Sequence, residues 1–131
     1  MNWTWIGLFS LTGLVMGLVT SLVGISPGLE PVVWTGFYAL WGIVIVRDRL
    51  SPVLTPLVAG VGAGLLTGLT QYALWDRYVA SNPWYADQLT DDVGLPSILG
   101  FAILMGAVWG LLVGGVCWAV QRFGSSRARS T

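Results

Sequence analysis

Few residues of this chain have side chains that could carry out catalysis. The sequence contains no His and a single Cys, Cys117, so His-based acid–base catalysis, His-ligated haem, Cys/His zinc sites and an intrachain disulfide are excluded. Cys117 lies among apolar residues, and the chain offers no His to activate its thiol. We therefore expect no enzyme activity, no catalytic residue, no metal and no cofactor.

Two short stretches carry polar side chains that could contact a solute. Glu30 stands at the expected start of a helix, where the helix dipole favours a carboxylate. Thr67, Gln71 and Tyr72 form a polar stretch near the expected end of another helix. A Gln facing lipid would leave its amide unpaired, so Gln71 should face a neighbouring helix or a small aqueous vestibule. We expect helix capping and interhelical hydrogen bonds, with a solute site at these four residues as the alternative.

An acidic segment follows this polar stretch. Asp87 and Asp91 are four residues apart, so a short helix would place both on one face, where they could offer oxygens to a hard cation such as Ca²⁺. The segment lacks a full set of cation ligands. We therefore expect a solvated acidic face rather than a metal site.

The overall composition shows in which environment the protein folds. Of 131 residues, 55% are hydrophobic and 9% are charged, whereas a soluble domain is about 25% charged. This composition indicates a protein surrounded by the lipid bilayer. The formal net charge is zero, so no broad basic surface is available and a nucleic-acid partner is excluded.

Hydrophobic segments of about 20 residues, the length that crosses a hydrocarbon core of about 30 Å, predict membrane-spanning helices. Four segments qualify, at about 5–25, 31–46, 52–75 and 95–120. Proline, which is well tolerated in a first helical turn, stands near three of the predicted starts, at Pro31, Pro52 and Pro96. We predict an all-α integral membrane protein, a four-transmembrane-helix bundle in one domain over 1–121, with a short Arg/Ser-rich cytoplasmic tail at 122–131.

The distribution of arginine predicts the orientation of these spans. Arg47, Arg49 and three arginines of the tail fall on one side, and Arg77 alone falls on the other. Positive residues concentrate on the cytoplasmic side. We therefore expect both termini in the cytoplasm and the loop 76–94 outside, in the plasma or inner membrane of a prokaryote.

Aromatic residues agree with this placement. Trp75, Tyr78 and Tyr85 fall at the outer interface, where amphipathic rings settle as anchors. Trp41 and Trp109 lie deeper in the predicted spans, and we expect them to be packing residues.

Glycines four residues apart recur in three of the four predicted spans. This spacing places them on one helix face, where two backbones can approach closely. The helix-packing glycines predicted in this way are Gly13, Gly17, Gly60, Gly64, Gly68, Gly106, Gly110 and Gly114. Gly7, Gly24 and Gly124 lie near helix ends or in the tail, and we expect a larger side chain to matter less there.

The chain also shows signs of an internal repeat of two helical hairpins. Residues 36–44 match residues 100–108 at five of nine positions, and 13–18 resembles 64–69. Two hairpins in the same membrane orientation would follow. A Gly- and Leu-rich composition also produces such matches by chance, so both explanations stay open.

These features favour a noncatalytic accessory or assembly subunit that packs against copies of itself, as a homo-oligomer, or against other membrane-protein subunits. The alternative is a small channel or transporter subunit with a polar site near the outer end of the third helix. A closed bundle without a cavity would favour the first function, and a polar cavity reaching the middle of the membrane would favour the second.

Overall fold

The computed structural model describes residues 1–85 and 93–127, with side chains through residue 124, and all regular elements of these residues are helical. A short 3₁₀ turn at Pro83–Tyr85 precedes the last helix. The helices are α1 (Trp3–Leu22), α2 (Glu30–Arg47), α3 (Leu54–Ala73), α4 (Trp75–Ser81) and α5 (Leu95–Arg127). Asp87 and Asp91, the residues considered above for a cation, lie outside the described residues.

Several helix ends differ from those expected. α3 begins at Leu54, so Pro56 lies in its first turn, where the missing N–H has no intrahelical partner to lose. α5 is helical as far as Arg127, and the first residues of the predicted tail therefore continue the last helix. The loop expected after residue 75 begins with the short helix α4.

Three helices, α1, α3 and α5, are long and apolar enough to cross a membrane. α2 has 18 residues but carries Glu30 and Arg47 at its two ends, and these charged residues lower its mean hydropathy. Its length is about 27 Å at a rise of about 1.5 Å per residue. α2 therefore nearly matches a hydrocarbon core in length without being apolar throughout.

Contacts between helices establish their relative directions. α1 and α3 run parallel, because Thr67 bonds to Gly13 and Gln71 bonds to Thr20. α5 is antiparallel to α3, with Gly106 beside Gly60 and Gly110 beside Pro56. α2 runs parallel to α5, since Tyr38 stacks on Trp109 and Ile45 contacts Gln121. We call the end that holds residues 23–29 and α4 the outer end, and the opposite end the inner end.

The contact between α3 and α5 is made backbone to backbone at glycine positions. A Cβ atom added at Gly60 would overlap the carbonyl group of Gly106, and one added at Gly64 would overlap the carbonyl group of Ala102. A Cβ atom at Gly110 would overlap the carbonyl group of Pro56 in the same way, so a side chain at Gly60, Gly64 or Gly110 requires one of the helices to move. The contacts at Gly68 and Gly114 are looser, with nearest atoms 3.0 and 3.1 Å from a built Cβ, and at Gly68 the nearest atom belongs to the side chain of Leu99.

α1 approaches a neighbouring face of α3 in a similar way. Gly13 lies against the backbone of Ala63, and a Cβ atom at Gly17 would lie 2.7 Å from Cβ of Thr70. α3 is thus the central helix, with close neighbours on two of its faces. Since lipid gives helices little hydrophobic reason to associate, this close van der Waals contact is what holds the three together.

α2 is attached differently, through large aromatic side chains. Trp41 is almost fully buried and stacks on Phe9 of α1 with ring centroids 5.2 Å apart. Tyr38 meets Trp41 edge-on at 5.1 Å and stacks on Trp109 of α5 at 5.5 Å. At the inner end, the side-chain amide of Gln121 donates to the carbonyl oxygens of Ile45 and Leu50, both at 3.2 Å. Rings therefore separate α2 from α1 and from the outer half of α5, whereas α3 touches its neighbours directly.

Gly24 differs from the expectation that residues near helix ends tolerate substitution. Its φ is +77°, a left-handed conformation that favours glycine. A Cβ atom there would overlap the carbonyl group of Ser81 in α4. The expectation is wrong for Gly24, because the turn after α1 packs against a helix that is distant in sequence.

Replacing Gly64 or Gly110 with Leu should destabilise the bundle, because each glycine faces the backbone of another helix. Overpacking a tight site costs about 1–3 kcal/mol. We expect a lower midpoint of thermal unfolding in detergent for both variants.

Gly7→Leu and Gly36→Leu are the matched controls, since neither glycine has a neighbouring atom within 4 Å of a built Cβ. Their midpoints should stay near that of the unchanged protein. Equal losses in all four variants would contradict close packing at Gly64 and Gly110.

Candidate functional site

A cavity of about 540 Å³ lies between α2, α3 and α5 and begins at the outer end. Its mouth is formed by residues of the α1–α2 connection, the start of α2, α4 and the 3₁₀ turn, including Pro27, Glu30, Tyr78 and Tyr85. Its deepest residues are Gly64, Gly106, Tyr38 and Trp109. We call it the outer cavity.

The outer cavity reaches the middle of the spanning helices. Trp109 follows the first residue of α5, Leu95, by 14 residues, which corresponds to about 21 Å along a helix. A hydrocarbon core is about 30 Å thick. A solute at the floor of the cavity would therefore lie at or beyond mid-membrane depth.

The outer cavity lies where stacked rings hold α2 and α5 apart, whereas nearer the inner end the two helices approach each other at one point and flank a second, apolar groove. At the inner half, Cys117 Sγ lies 3.9 Å from the carbonyl oxygen of Gly42. Farther out, the stacked rings of Tyr38 and Trp109 fill the space between the helices. Beyond these rings, Gly64 and Gly106 present no side chains, so the wall made by α3 and α5 leaves the space open.

Glu30 is the one charged side chain among the described residues that line the outer cavity. It is partly buried at the first turn of α2, and its carboxylate accepts a hydrogen bond from the indole N–H of Trp34. The helix dipole favours a negative charge at this position. Glu30 makes no side-chain capping hydrogen bond, so the expected cap is absent, but it lies at the favourable end of the α2 dipole and lines the cavity.

Two tyrosines share the mouth with Glu30. Burial raises the pKa of Tyr78 to about 12, and the nearby carboxylate of Glu30 adds to this effect. Burial, followed by the charge of Glu30, also raises the pKa of Tyr85. Both hydroxyl groups stay protonated near neutral pH, so the mouth combines one carboxylate with two neutral phenols.

Thr67 and Gln71 also line the cavity, but their hydrogen bonds are directed towards α1. The Thr67 hydroxyl lies 2.9 Å from the carbonyl oxygens of both Gly13 and Ala63. Gln71 donates from its amide to the hydroxyl of Thr20 at 3.1 Å. Both side chains thus join α1 to α3 while bordering the cavity.

The structure brings three of the four predicted polar residues together and leaves one out. Glu30, Thr67 and Gln71 line the same cavity. Tyr72 is 46% exposed and is not among its lining residues. Along a helix, Tyr72 points about 100° away from Gln71, which is enough to place it on another face.

The aromatic wall of the cavity and a buried asparagine were not predicted from the sequence. Trp34, Tyr38 and Trp109 line the cavity, whereas only Trp109 was considered, as a packing residue. Asn82 is buried and donates from its amide to the carbonyl oxygens of Thr20, at 2.8 Å, and Tyr78, at 2.7 Å. It attaches the segment after α4 to the end of α1, and no local sequence pattern predicts this contact.

The connection between α1 and α2 matches the spacing of a Gly-x-Ser-x-Gly nucleophile motif, at Gly24, Ser26 and Gly28. In hydrolases this motif occupies a strand-to-helix turn and works with a His. Here it joins two helices, in a chain without His. The carbonyl oxygen of Ser26 accepts hydrogen bonds from the N–H groups of Leu29 and Glu30. The motif is therefore a turn that leads into α2.

The cavity offers hydrogen-bonding groups, ring faces and one carboxylate. Within residues 1–85 and 93–124, no group of three or more His, Cys, Asp or Glu side chains is placed to hold a metal ion. Cys117 is buried against α2, away from the outer cavity. The described groups are suited to binding a solute.

The chain matches no known family model, and comparison with curated proteins and with solved structures gives no match either. The class of protein is therefore inferred from the helices of the chain itself. Three apolar helices of spanning length indicate a membrane protein.

Thr67→Val should destabilise the bundle, because Val keeps the shape of Thr but cannot donate to the carbonyl of Gly13 across the α1–α3 contact. Interhelical hydrogen bonds in membrane proteins contribute about 0.6 kcal/mol on average. We expect a small but measurable drop in the midpoint of thermal unfolding.

Thr70→Val is the matched control, since the hydroxyl of Thr70 donates within its own helix, to the carbonyl of Leu66. Its midpoint should change less than that of Thr67→Val. If the two variants lose the same stability, the hydrogen bond of Thr67 to α1 does not contribute.

Proposed function

We propose that this chain is a small solute-binding membrane protein, a channel or transporter subunit, and that the outer cavity receives the solute. One observation carries this proposal: a cavity extends from the outer end to mid-helix depth and is lined by Glu30, Thr67 and Gln71. Intramembrane cavities with a few polar groups are where transporters hold their substrates.

A topology of four spans, with α2 as the second, is part of the proposal. α1 and α3 run parallel and in contact, so the chain has to return from the outer to the inner end between them. α2 makes this return and runs parallel to α5. The helix directions therefore support four spans, with both termini on the same side.

Charge placement supports the orientation of this topology. Arg47, Arg49 and Arg122 lie at the inner end, and Glu30 and Asp76 lie at the outer end. By the preference of arginine for the cytoplasmic side, the inner end faces the cytoplasm. The outer cavity then opens away from the cytoplasm.

The contacts between α2 and its neighbours close the inner end of this path. Trp41 and Phe9 stack there, and Gln121 bonds to the backbone of α2. A solute would enter from the outer end and stop at the rings of Tyr38 and Trp109. Passage to the other side would require α2 to separate from α5 near Gly42 and Cys117.

The accessory-subunit role predicted from the glycine spacing has less support. The predicted packing glycines make their close contacts within the chain, between α1, α3 and α5. Because these glycines are already covered by helices of the same chain, they do not form a surface for binding another subunit. Homo-oligomers and assembly with other membrane proteins stay predictions from the sequence.

The internal repeat also stays a prediction. The two hairpins run in the same direction, as the repeat requires. Their packing differs, because α3 and α5 touch through glycines, whereas Phe9 and Trp41 separate α1 from α2.

Cysteines introduced on either side of α2 test the topology. In a Cys117→Ala background, the Gly28→Cys and Ser51→Cys variants carry one exposed thiol each, before and after α2. We expect an impermeant maleimide to label position 28 only in right-side-out vesicles and position 51 only in inside-out vesicles. Labelling of both positions from the same side would show that α2 does not span the membrane.

Accessibility at mid-membrane depth tests the cavity itself. Met105 lines the outer cavity, and its neighbour Leu104, at the same depth, is 60% exposed and lies outside the cavity lining. Water-soluble methanethiosulfonates react with thiolates, which form in water and not in lipid. In the Cys117→Ala background, we expect the Met105→Cys variant to react from the outside and the Leu104→Cys variant to stay unmodified.

If both positions resist the reagent, the cavity does not admit water and the proposed function is wrong. Equal reaction at both positions would also count against it, since access would then not depend on the cavity.

A further inference from the structure

We propose that the solute of the outer cavity is an organic cation with an aromatic or otherwise apolar body, and that Glu30 is its counter-ion. This inference rests on the proposed solute-binding function and adds the chemical class of the solute. It follows from three properties of the cavity: its charge, its ring faces and its volume.

The charge of the cavity is negative. Glu30 is the one ionisable carboxylate among the described lining residues, and no arginine is among them. The hydrogen bond from Trp34 engages only part of the carboxylate, which can accept about four hydrogen bonds in all. An anionic solute would be repelled, and a neutral one would displace water from the carboxylate without neutralising it.

Aromatic side chains make up much of the cavity wall. Among the described residues, seven line it, at Trp34, Tyr38, Trp75, Tyr78, Tyr85, Phe101 and Trp109, and of these Tyr38 is stacked with both Trp34 and Trp109. A cation over the face of Trp, Tyr or Phe is attracted by the ring quadrupole, and this attraction grows when water is excluded. Quaternary ammonium groups are recognised by such clusters of rings. Rings also bind the apolar part of the solute, which a hydrated metal ion lacks.

The volume suits a small organic molecule. The cavity, at about 540 Å³, falls within the range of about 300–1,000 Å³ typical of small-molecule sites. An inorganic cation would leave most of this space unfilled. An apolar cation fills the space and places its charge near Glu30.

Two lipophilic ions of nearly equal size and shape but opposite charge test the inference: tetraphenylphosphonium and tetraphenylborate. Binding to the purified full-length protein in neutral detergent is measured by equilibrium dialysis against a detergent-only blank, which removes partition into micelles. We expect the protein to bind the cation at least about tenfold more tightly than the anion, a difference of about 1.4 kcal/mol. This comparison needs no variant.

Glu30→Gln should weaken binding of the cation about tenfold and remove the discrimination between the two ions. Asp76→Asn is the matched control, since it removes a carboxylate from the same end of the bundle but not from the cavity lining. It should keep the discrimination. Thermal unfolding of both variants shows whether they are folded before binding is compared.

Ser97→Trp locates the binding, because Ser97 is exposed and lines the cavity, so a large ring there takes up part of its volume. We expect weaker binding of the cation in this variant. If the two ions bind equally and Ser97→Trp weakens both, the cavity binds solutes but the cation inference is wrong. If neither ion binds above the blank and Met105→Cys also resists labelling, the proposed function fails together with the inference.

Discussion

The close approach of α3 to α1 and α5 is the constraint on which the rest of the structure depends. In lipid, helices gain little by burying apolar side chains, so stability comes from van der Waals contact between smooth surfaces. Gly60 and Gly106 provide such surfaces for α3 and α5, and Gly13 provides one for α1. Because three helices are fixed in this way, the position of the fourth long helix, α2, decides whether space remains inside the bundle.

α2 follows a different packing rule, and the cavity is its consequence. Trp41 and Tyr38 fill the gap to α1 and α5 with stacked and edge-on rings, each with centroids more than 5 Å apart. Aromatic rings have preferred contact geometries and cannot collapse as flexible chains do. The space beyond them, next to the bare backbone of Gly64, therefore stays open. The same glycines that bring α3 and α5 together thus widen the cavity on the side of α2.

The polar groups near the outer end have two roles: some bond α3 to α1, and Glu30 lies across the cavity from them. Thr67 and Gln71 bond to Gly13 and Thr20 of α1, and these bonds hold the two parallel helices in register. Glu30, across the cavity, receives a hydrogen bond from Trp34 and the favourable dipole of α2. A carboxylate kept in this position without a cationic side chain among the described cavity-lining residues is a strong electrostatic feature, and the proposed solute class follows from it.

The sequence by itself determined the apolar helices, because the length of a hydrophobic run and the position of prolines depend only on local physics. It also identified the glycine faces, since a spacing of four selects one side of a helix. Which helix each face meets was decided only by the tertiary structure. The partner of Thr67 lies 54 residues earlier, and Gly24 packs against Ser81. The joining of Glu30, Thr67 and Gln71 around one cavity depends on such contacts between distant segments, which no local pattern encodes.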